Sequence, residues 1–175
     1  HMLFQMRKLI EIYQKKGGKM NKSSTVERVS DYEVNTDAGD IIKDTNKMEW
    51  IEVGGGSRFK VLRACKKTGD WALYVQMDPG AKFQAHRHQG CGEFFITKGE
   101  LLYDVGSAPA GTYGYEPVFA EHFIAGTEVL TEMYFSGRGS VTYFDEEKNI
   151  DWILDSEWLH KLNLGEVELD VSPKS

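Results

Sequence analysis

The chain has 175 residues, which fits one domain, and 41% of them are hydrophobic, so a sizeable core can form. A net charge of −6 with no basic block after residue 30 argues against nucleic acid as a partner. No apolar run approaches the ~18 residues that would span a bilayer, so a membrane protein is not expected either.

The cysteine content indicates a reducing compartment. Cys65 and Cys91 are the two cysteines of the chain, too few for a disulfide framework. No signal peptide is predicted, because the N-terminus lacks a continuous apolar core followed by a small-residue cleavage site. We therefore expect a cytoplasmic protein.

Residues 1–20 are interpreted as a tag remnant, His1-Met2, followed by an N-terminal extension. Within it, residues 3–16 carry apolar side chains at helical spacing and end at a glycine pair. This pattern predicts a short helix docked on the domain or on a partner subunit; a basic membrane-surface helix is the alternative. Residues 21–48 are polar and are predicted to form an irregular arm.

Residues 49–165 have the sequence pattern of an all-β domain. The chain holds 18 glycines, and many of them separate short apolar runs. Alternation is clearest where Trp71, Leu73, Val75 and Met77 share one face of a strand. About ten strands at regular spacing predict a sandwich or barrel; they cover residues 48–53, 58–64, 71–77, 83–88, 93–97, 100–105, 112–117, 121–125, 128–136 and 140–144.

The C-terminal part is predicted to hold one short helix. It lies within residues 150–163, with Ser156 as a possible cap and Gly165 as its end. Residues 166–175 are expected to form a loose tail.

Two histidines on one predicted strand are candidate metal ligands. His86 and His88 are two residues apart, so both imidazoles point to the same side of a strand and can share a metal ion, while Arg87 points away. Glu93 follows across a glycine-flanked turn, and a hairpin there would bring it to face the histidines. His122 begins a later strand, and a barrel would bring it to the same interior. The sequence therefore predicts a metal site.

These residues resemble the cupin superfamily. Gly80, His86, His88 and Glu93 match its first motif, although the closing glycine, Gly99, comes one residue early. The second motif, Pro-x-Gly-x-x-His, starts at Pro109 but has Gly114 in place of histidine. The resemblance implies a single-domain, all-β cupin, a jelly-roll barrel, with short N- and C-terminal helices.

The late position of this histidine, His122, resembles the pattern in one branch of the cupins. That branch contains the acetylacetone-cleaving and 2,4'-dihydroxyacetophenone dioxygenases. This resemblance runs from about Asp31 to about Leu162. It implies that His86, His88 and His122 hold a non-haem metal, with Glu93 either a fourth ligand or a neighbour of the ligands. Glu116 matches an acidic position that orients a ligand histidine or a water, and we assign it as catalytic; a surface strand residue is the alternative.

The remaining residues are assigned by inspection. Cys91 could approach the metal, but a loop position is preferred. The aromatic residues considered for the pocket walls, with core packing as the alternative, are Phe83, Phe95, Tyr113, Tyr115 and Phe123.

The function implied by the resemblance is an iron(II) dioxygenase that cleaves a carbon–carbon bond of a small β-diketone or related carbonyl compound with dioxygen. Zinc, nickel or manganese are alternatives to iron. An oxygen-independent isomerase or hydrolase, a non-catalytic metal sensor and a purely structural cupin are the alternative functions. We also expect a homodimer or larger homo-oligomer, because an open sheet edge would otherwise remain exposed.

Overall fold

The structure is a computed structural model and describes residues 41–174. The predicted helix over residues 3–16 and most of the arm lie outside this range. Within it, one 3-10 turn, Thr45–Lys47, precedes thirteen strands and one α-helix. The elements are β1 Ile51–Glu52, β2 Ser57–Ala64, β3 Asp70–Met77, β4 His86–His88, β5 Gly92–Lys98, β6 Glu100–Tyr103, β7 Gly106–Pro109, β8 Tyr113–Glu116, β9 Glu121–His122, β10 Ala125–Gly126, β11 Thr131–Arg138, β12 Val141–Phe144, β13 Ile150–Leu154 and α1 Ser156–Leu164.

The strands form antiparallel sheets whose order differs from their order in the sequence. A six-stranded sheet runs β1-β2-β3-β11-β5-β8, and a four-stranded sheet runs β13-β12-β4-β9. A third sheet, β10-β6-β7, continues from the four-stranded one, because β9 and β10 lie two residues apart in the chain. The predicted all-β cupin architecture is confirmed.

The core lies between the sheets, where alternating side chains point inward. The predicted inward face of β3 is confirmed, since Trp71, Leu73, Val75 and Met77 are all buried. The indole of Trp71 stacks on Phe135 of β11, with 5.5 Å between the ring centroids.

The predicted short helix near the C-terminus is α1, Ser156–Leu164. Residues 150–154, before it, form β13, which pairs with β12. The helix is capped by Asp155 rather than Ser156, because the Asp155 carboxylate accepts a hydrogen bond from the Trp158 amide at 2.8 Å. Gly165 ends the helix in the left-handed conformation, as predicted.

The segment after the helix is not a loose tail. Leu169 and Val171 are buried. The Val171 amide donates to the Val53 carbonyl at 2.8 Å, and the Gln84 amide donates to the Val171 carbonyl at 2.7 Å. The alternation of Leu169 and Val171 is the signal that sequence reasoning passed over.

Two smaller differences concern the strands around the histidines. The predicted strand over 121–125 is two short strands, β9 and β10, and residues 106–109, predicted as a separator, form β7. Among residues 41–174, no helix is long and apolar enough to cross a membrane.

Candidate metal centre

Three histidines converge in the barrel interior. One ligand nitrogen from each of His86, His88 and His122 lies within 4.8 Å of the other two. The ring centroids are 5.1 to 5.4 Å apart, and all three side chains are buried. The structure thus brings together the three histidines that the sequence singled out.

The strand pairing explains why they meet. His86 and His88 lie on the same face of β4, and Arg87 points away, where it contacts Glu121 at the surface. β9 pairs antiparallel with β4, and His122 is the direct partner of His86. Cross-strand partners lie close together, so the short β9 is sufficient to add the third imidazole.

The tautomer of His86 is set by the backbone. Its Nδ1 lies 2.8 Å from the Gln84 carbonyl oxygen, an acceptor, so Nδ1 carries the hydrogen and Nε2 is free to bind a metal. Burial, together with the neighbouring His88, lowers the pKa of His86 to about 3. The ring is therefore neutral at physiological pH, which is the ligand form of histidine.

Gln84 links this histidine to three other parts of the fold. Its side chain is buried, and its amide nitrogen donates to the Phe144 carbonyl at 2.7 Å and to Asp151 at 2.9 Å. Its amide oxygen accepts from the Trp152 indole at 3.0 Å. Together with the bond to Val171, these contacts hold the Gln84 carbonyl in the position that orients His86.

His122 is flanked by two polar groups. Its Nδ1 faces the Asp104 carboxylate at 3.6 Å, and its Nε2 lies 2.6 Å from the Tyr103 hydroxyl oxygen. Asp104 is itself held by the amides of Phe123 and Ile124, at 2.9 and 3.0 Å. Burial lowers the pKa of His122. These two neighbours fix the orientation of the His122 ring.

Glu116 is the acidic group of the centre. It is 4% exposed, so the alternative of a surface strand residue is wrong. Its Oε2 lies 3.0 Å from His88 Nε2 without the geometry of a hydrogen bond, and its Oε1 accepts a hydrogen bond from the Tyr103 hydroxyl. Burial alone would raise the pKa of Glu116, but His88 and Tyr103 outweigh it and lower the pKa below its usual value. The carboxylate is therefore ionised at neutral pH.

Glu93 does not reach this centre, and its assignment as a ligand is corrected. It lies on the outer face of β5, exposed, opposite Tyr115 of β8. Gly92 takes the inward position beside Glu116, and a Cβ atom there would lie 2.8 Å from Glu116 Oε2 and 2.9 Å from Phe135 Cζ. The missing side chain of Gly92 leaves the space that the Glu116 carboxylate occupies.

The error has a physical cause. The expectation required a hairpin between β4 and β5, but β4 belongs to the four-stranded sheet and β5 to the six-stranded one. Alternation does not carry across a segment that changes sheets, so the face of Glu93 could not be inferred from that of His88.

A small cavity adjoins the histidines. Its volume is about 60 Å³, and its walls are largely apolar. At about 10–15 Å³ per water site, it has room for a ligand of a few heavy atoms. The residues around it include Phe59, Leu73, Val75, Phe83, Leu101, Met133, Phe135 and Tyr143, together with His86, His88, Tyr103 and Glu116.

Most of the aromatic residues considered for the pocket walls lie elsewhere. Phe83 lines the cavity. The other four are exposed and line neither this cavity nor the core: Phe95, Tyr113, Tyr115 and Phe123. Cys91 is partly exposed and lies outside the histidine cluster.

Sequence reasoning missed three residues that shape the centre: Tyr103, Asp104 and Gln84. Tyr103 had a readable signal, because it is two residues from the apolar Leu101 on β6 and therefore shares its inward face. Asp104 and Gln84 act through loop geometry, which carries no periodic signal.

The residues present fit a divalent transition metal. Three neutral imidazoles are suitable ligands for iron, zinc, nickel or copper. Buried polar atoms without a hydrogen-bond partner, His88 Nε2 and Glu116 Oε2, face each other in the same region. Buried polar groups are normally paired, so a cation bound at His88 Nε2, with the Glu116 carboxylate facing it, explains these two atoms.

A jelly-roll barrel with three converging histidines is a cupin. Residues 38–142 match the model of the ChrR cupin-like domain family, and the chain belongs to that family. It is 26% identical over 117 residues to the acetylacetone-cleaving enzyme of Acinetobacter johnsonii, a match that covers 62% of this chain and 76% of that enzyme.

Solved structures have the same fold. A proposed acetylacetone dioxygenase from Methylibium petroleiphilum superposes with a TM-score of 0.67 at 26% identity, covering 71% of this chain and 94% of that one. The acetylacetone dioxygenase of Acinetobacter johnsonii gives 0.66 at 22% identity, covering 85% and 99%. The latter supports the fold alone.

Proposed function

We propose that this protein is an iron(II)-dependent dioxygenase that cleaves a carbon–carbon bond of a small β-diketone. The observation that carries the proposal is the cluster of three buried, mutually facing histidines beside a small apolar cavity. The similarity to the acetylacetone-cleaving enzyme supports the choice of reaction.

His86, His88 and His122 would hold the metal. A divalent cation bound there supplies a Lewis acid that favours the enolate of a β-diketone, and iron(II) adds reactivity toward dioxygen. Three neutral ligands leave the positive charge of the cation uncompensated by the histidines themselves.

Glu116 and Tyr103 would handle the proton that a diketone loses from its central carbon. The Tyr103 hydroxyl donates to Oε1 of Glu116, which leaves Oε2 without a hydrogen bond. We assign Oε2 as the atom that accepts this proton, because it is ionised, buried and directed at the histidines. Tyr103 would keep the carboxylate turned in this direction.

The cavity walls would select the size of the substrate and exclude water. A volume of about 60 Å³ favours a short aliphatic diketone over an aromatic ketone. Phe135 and Tyr143 lie against His88 and His86, with centroid separations of 5.7 and 5.2 Å, so bulk added to the substrate would meet rigid rings.

The test is oxygen consumption by the metal-loaded chain. The metal-free protein is loaded with iron(II) without oxygen, and 2,4-pentanedione is then added with dioxygen. We expect uptake that requires both iron and diketone and that is lost in His122→Ala. Metal bound by all three histidines without any uptake would reject this substrate and favour an oxygen-independent enzyme or a metal sensor.

A cytoplasmic location stays a prediction. It rests on the cysteine content of the chain: Cys65 is buried and Cys91 partly buried, and no disulfide joins them.

A further inference from the structure

One hydroxyl group on the wall of the metal cavity has no role so far. Tyr143 lies on β12, is 5% exposed and lines the cavity beside the histidines. Among residues 41–174, its hydroxyl makes no hydrogen bond. A buried hydroxyl normally has a partner, and leaving it without one is costly. A bound ligand is the partner that such a group would take.

The other polar side chains that face the cavity are already engaged. The Tyr103 hydroxyl donates to Glu116, and the Trp71 indole donates to the Gly139 carbonyl at 2.9 Å. His86 and His88 belong to the metal site. The Tyr143 hydroxyl is therefore the donor that the described part of the chain leaves available to a ligand in this cavity.

The position of this hydroxyl is fixed by the rings on both sides of Tyr143. Tyr143 is the direct partner of His86 on β4 and of Trp152 on β13. Trp152 stacks on it with 3.8 Å between the ring centroids and 8° between the planes, and the His86 ring lies 5.2 Å away on the other side. The indole of Trp152 is in turn bonded to Gln84.

A clamped phenol ring holds its oxygen in one place. The phenolic oxygen lies on the axis about which the ring flips, so a ring flip does not move it. A donor that is already positioned loses little conformational entropy when a ligand binds. The ordinary pKa of tyrosine is about 10, so the hydroxyl carries its proton at neutral pH and can donate it to an acceptor.

We infer that the Tyr143 hydroxyl donates a hydrogen bond to an oxygen atom of the carbonyl substrate bound at the metal centre. This inference rests on the proposed function, from which it takes its ligand, the enolate of a small β-diketone. The enolate oxygens are acceptors without a proton of their own, and a hydrogen bond to a charged group is the strong kind. Tyr143 would hold the substrate, whereas the transfer of its proton stays with Glu116.

This hydrogen bond would also contribute to specificity. The walls of the cavity are largely apolar, so apolar contact alone would accept any ligand of the right size. A site with a buried donor disfavours a ligand that has no oxygen to pair with it, because the donor then stays unpaired. The position next to His86 places this selection beside the metal.

The test is the binding of 2,4-pentanedione to the zinc-loaded protein, measured by titration calorimetry. Zinc is redox-inert, so binding is observed without turnover. We expect Tyr143→Phe, which keeps the stacked ring, to raise the dissociation constant of the diketone by about 10-fold or more, the scale of a hydrogen bond to a charged group. Tyr134→Phe is the matched control, because Tyr134 is 40% exposed on β11, and it should leave the constant unchanged.

Two further measurements separate ligand binding from a structural role. The urea midpoint of ligand-free Tyr143→Phe should equal or exceed that of the wild type, since the hydroxyl has no partner in the described fold to lose. With iron(II) and dioxygen, KM for the diketone should rise while kcat changes little, the pattern of lost uniform binding. A lower urea midpoint together with unchanged diketone binding would overturn the inference and make the hydroxyl structural.

The outcomes distinguish this inference from the proposed reaction. Equal diketone binding by the wild type and Tyr143→Phe would overturn the inference and leave the reaction standing. Weakened binding in Tyr143→Phe, with no oxygen uptake by the iron-loaded wild type, would support the inference and reject the reaction. A wild-type protein that holds zinc but does not bind the diketone would overturn both.

Discussion

The two faces of the β5–β8 pair differ in kind although they share one backbone. Inward, Gly92 and Glu116 lie side by side at the metal centre. Outward, the adjacent residues Glu93 and Tyr115 are exposed. Two carboxylates in neighbouring strands thus have opposite roles, and the side of the sheet, rather than the residue type, decides which one meets the histidines.

We expect the largest effect when substitutions of two adjacent residues on β4 are compared. His86→Ala removes an inward ligand, and we expect the affinity for a divalent metal to fall by more than about 100-fold, since even residues beyond the ligands cost 10–100-fold. Arg87→Ala removes an outward side chain and should leave the metal affinity unchanged. Titration calorimetry with zinc measures both; equal affinities would contradict the assignment of the faces.

Acid should lower the free energy of unfolding of the metal-free protein, because buried groups on the inward face must then bind protons. The pKa of His86 is lowered to about 3, from 6.5, and that of Glu116 is also lowered, so the unfolded chain binds protons more readily than the folded one. The stabilisation is present above pH 6.5 and is lost as the pH falls toward 3. Urea unfolding across this range measures it. A saturating metal should move the loss to lower pH, and a flat profile without metal would contradict the prediction.

Filling the inward gap on β5 should destabilise the fold. In Gly92→Ala the new methyl group would meet Glu116 and Phe135, and overpacking of this kind costs about 1–3 kcal/mol. Glu93→Ala, one residue away on the outer face, should change the free energy of unfolding by less than about 0.5 kcal/mol. Urea unfolding of both variants decides; similar values would mean that the space beside Glu116 is not tightly filled.

The smallest effect distinguishes the two carboxylates directly. Glu116→Gln keeps the shape but removes the charge beside the histidines, and we expect about a tenfold loss of metal affinity. Glu93→Gln should have no effect. Calorimetric titration with zinc applies here as well, and a loss in Glu93→Gln would restore that residue as a ligand.

The sequence correctly predicted which side chains share a face of one strand, because alternation within the strand determines this. The buried face of β3 and the shared face of His86 and His88 followed from period two and are confirmed. The meeting with His122 required the barrel, which the cupin resemblance supplied.

What the sequence did not predict depends on where the chain changes sheets or leaves regular structure. The predicted position of Glu93 is wrong because the chain passes from one sheet to another between β4 and β5. Asp104 and Gln84 are placed by turns and long-range hydrogen bonds, to which local sequence gives no guide. The exposed aromatic residues were placed wrongly for another reason, because an aromatic side chain favours burial but does not show which face of a strand points outward.

Gln84 has a consequence for engineering this protein. Its carbonyl orients His86, and its amide is bonded to Val171, close to the C-terminal limit of the described chain. A displacement of residues 169–174 by a fusion, a tag or a ligand is therefore transmitted to the metal centre through the backbone of one residue that is not itself a ligand. Modifications at that end should be judged by the metal they leave bound as well as by solubility.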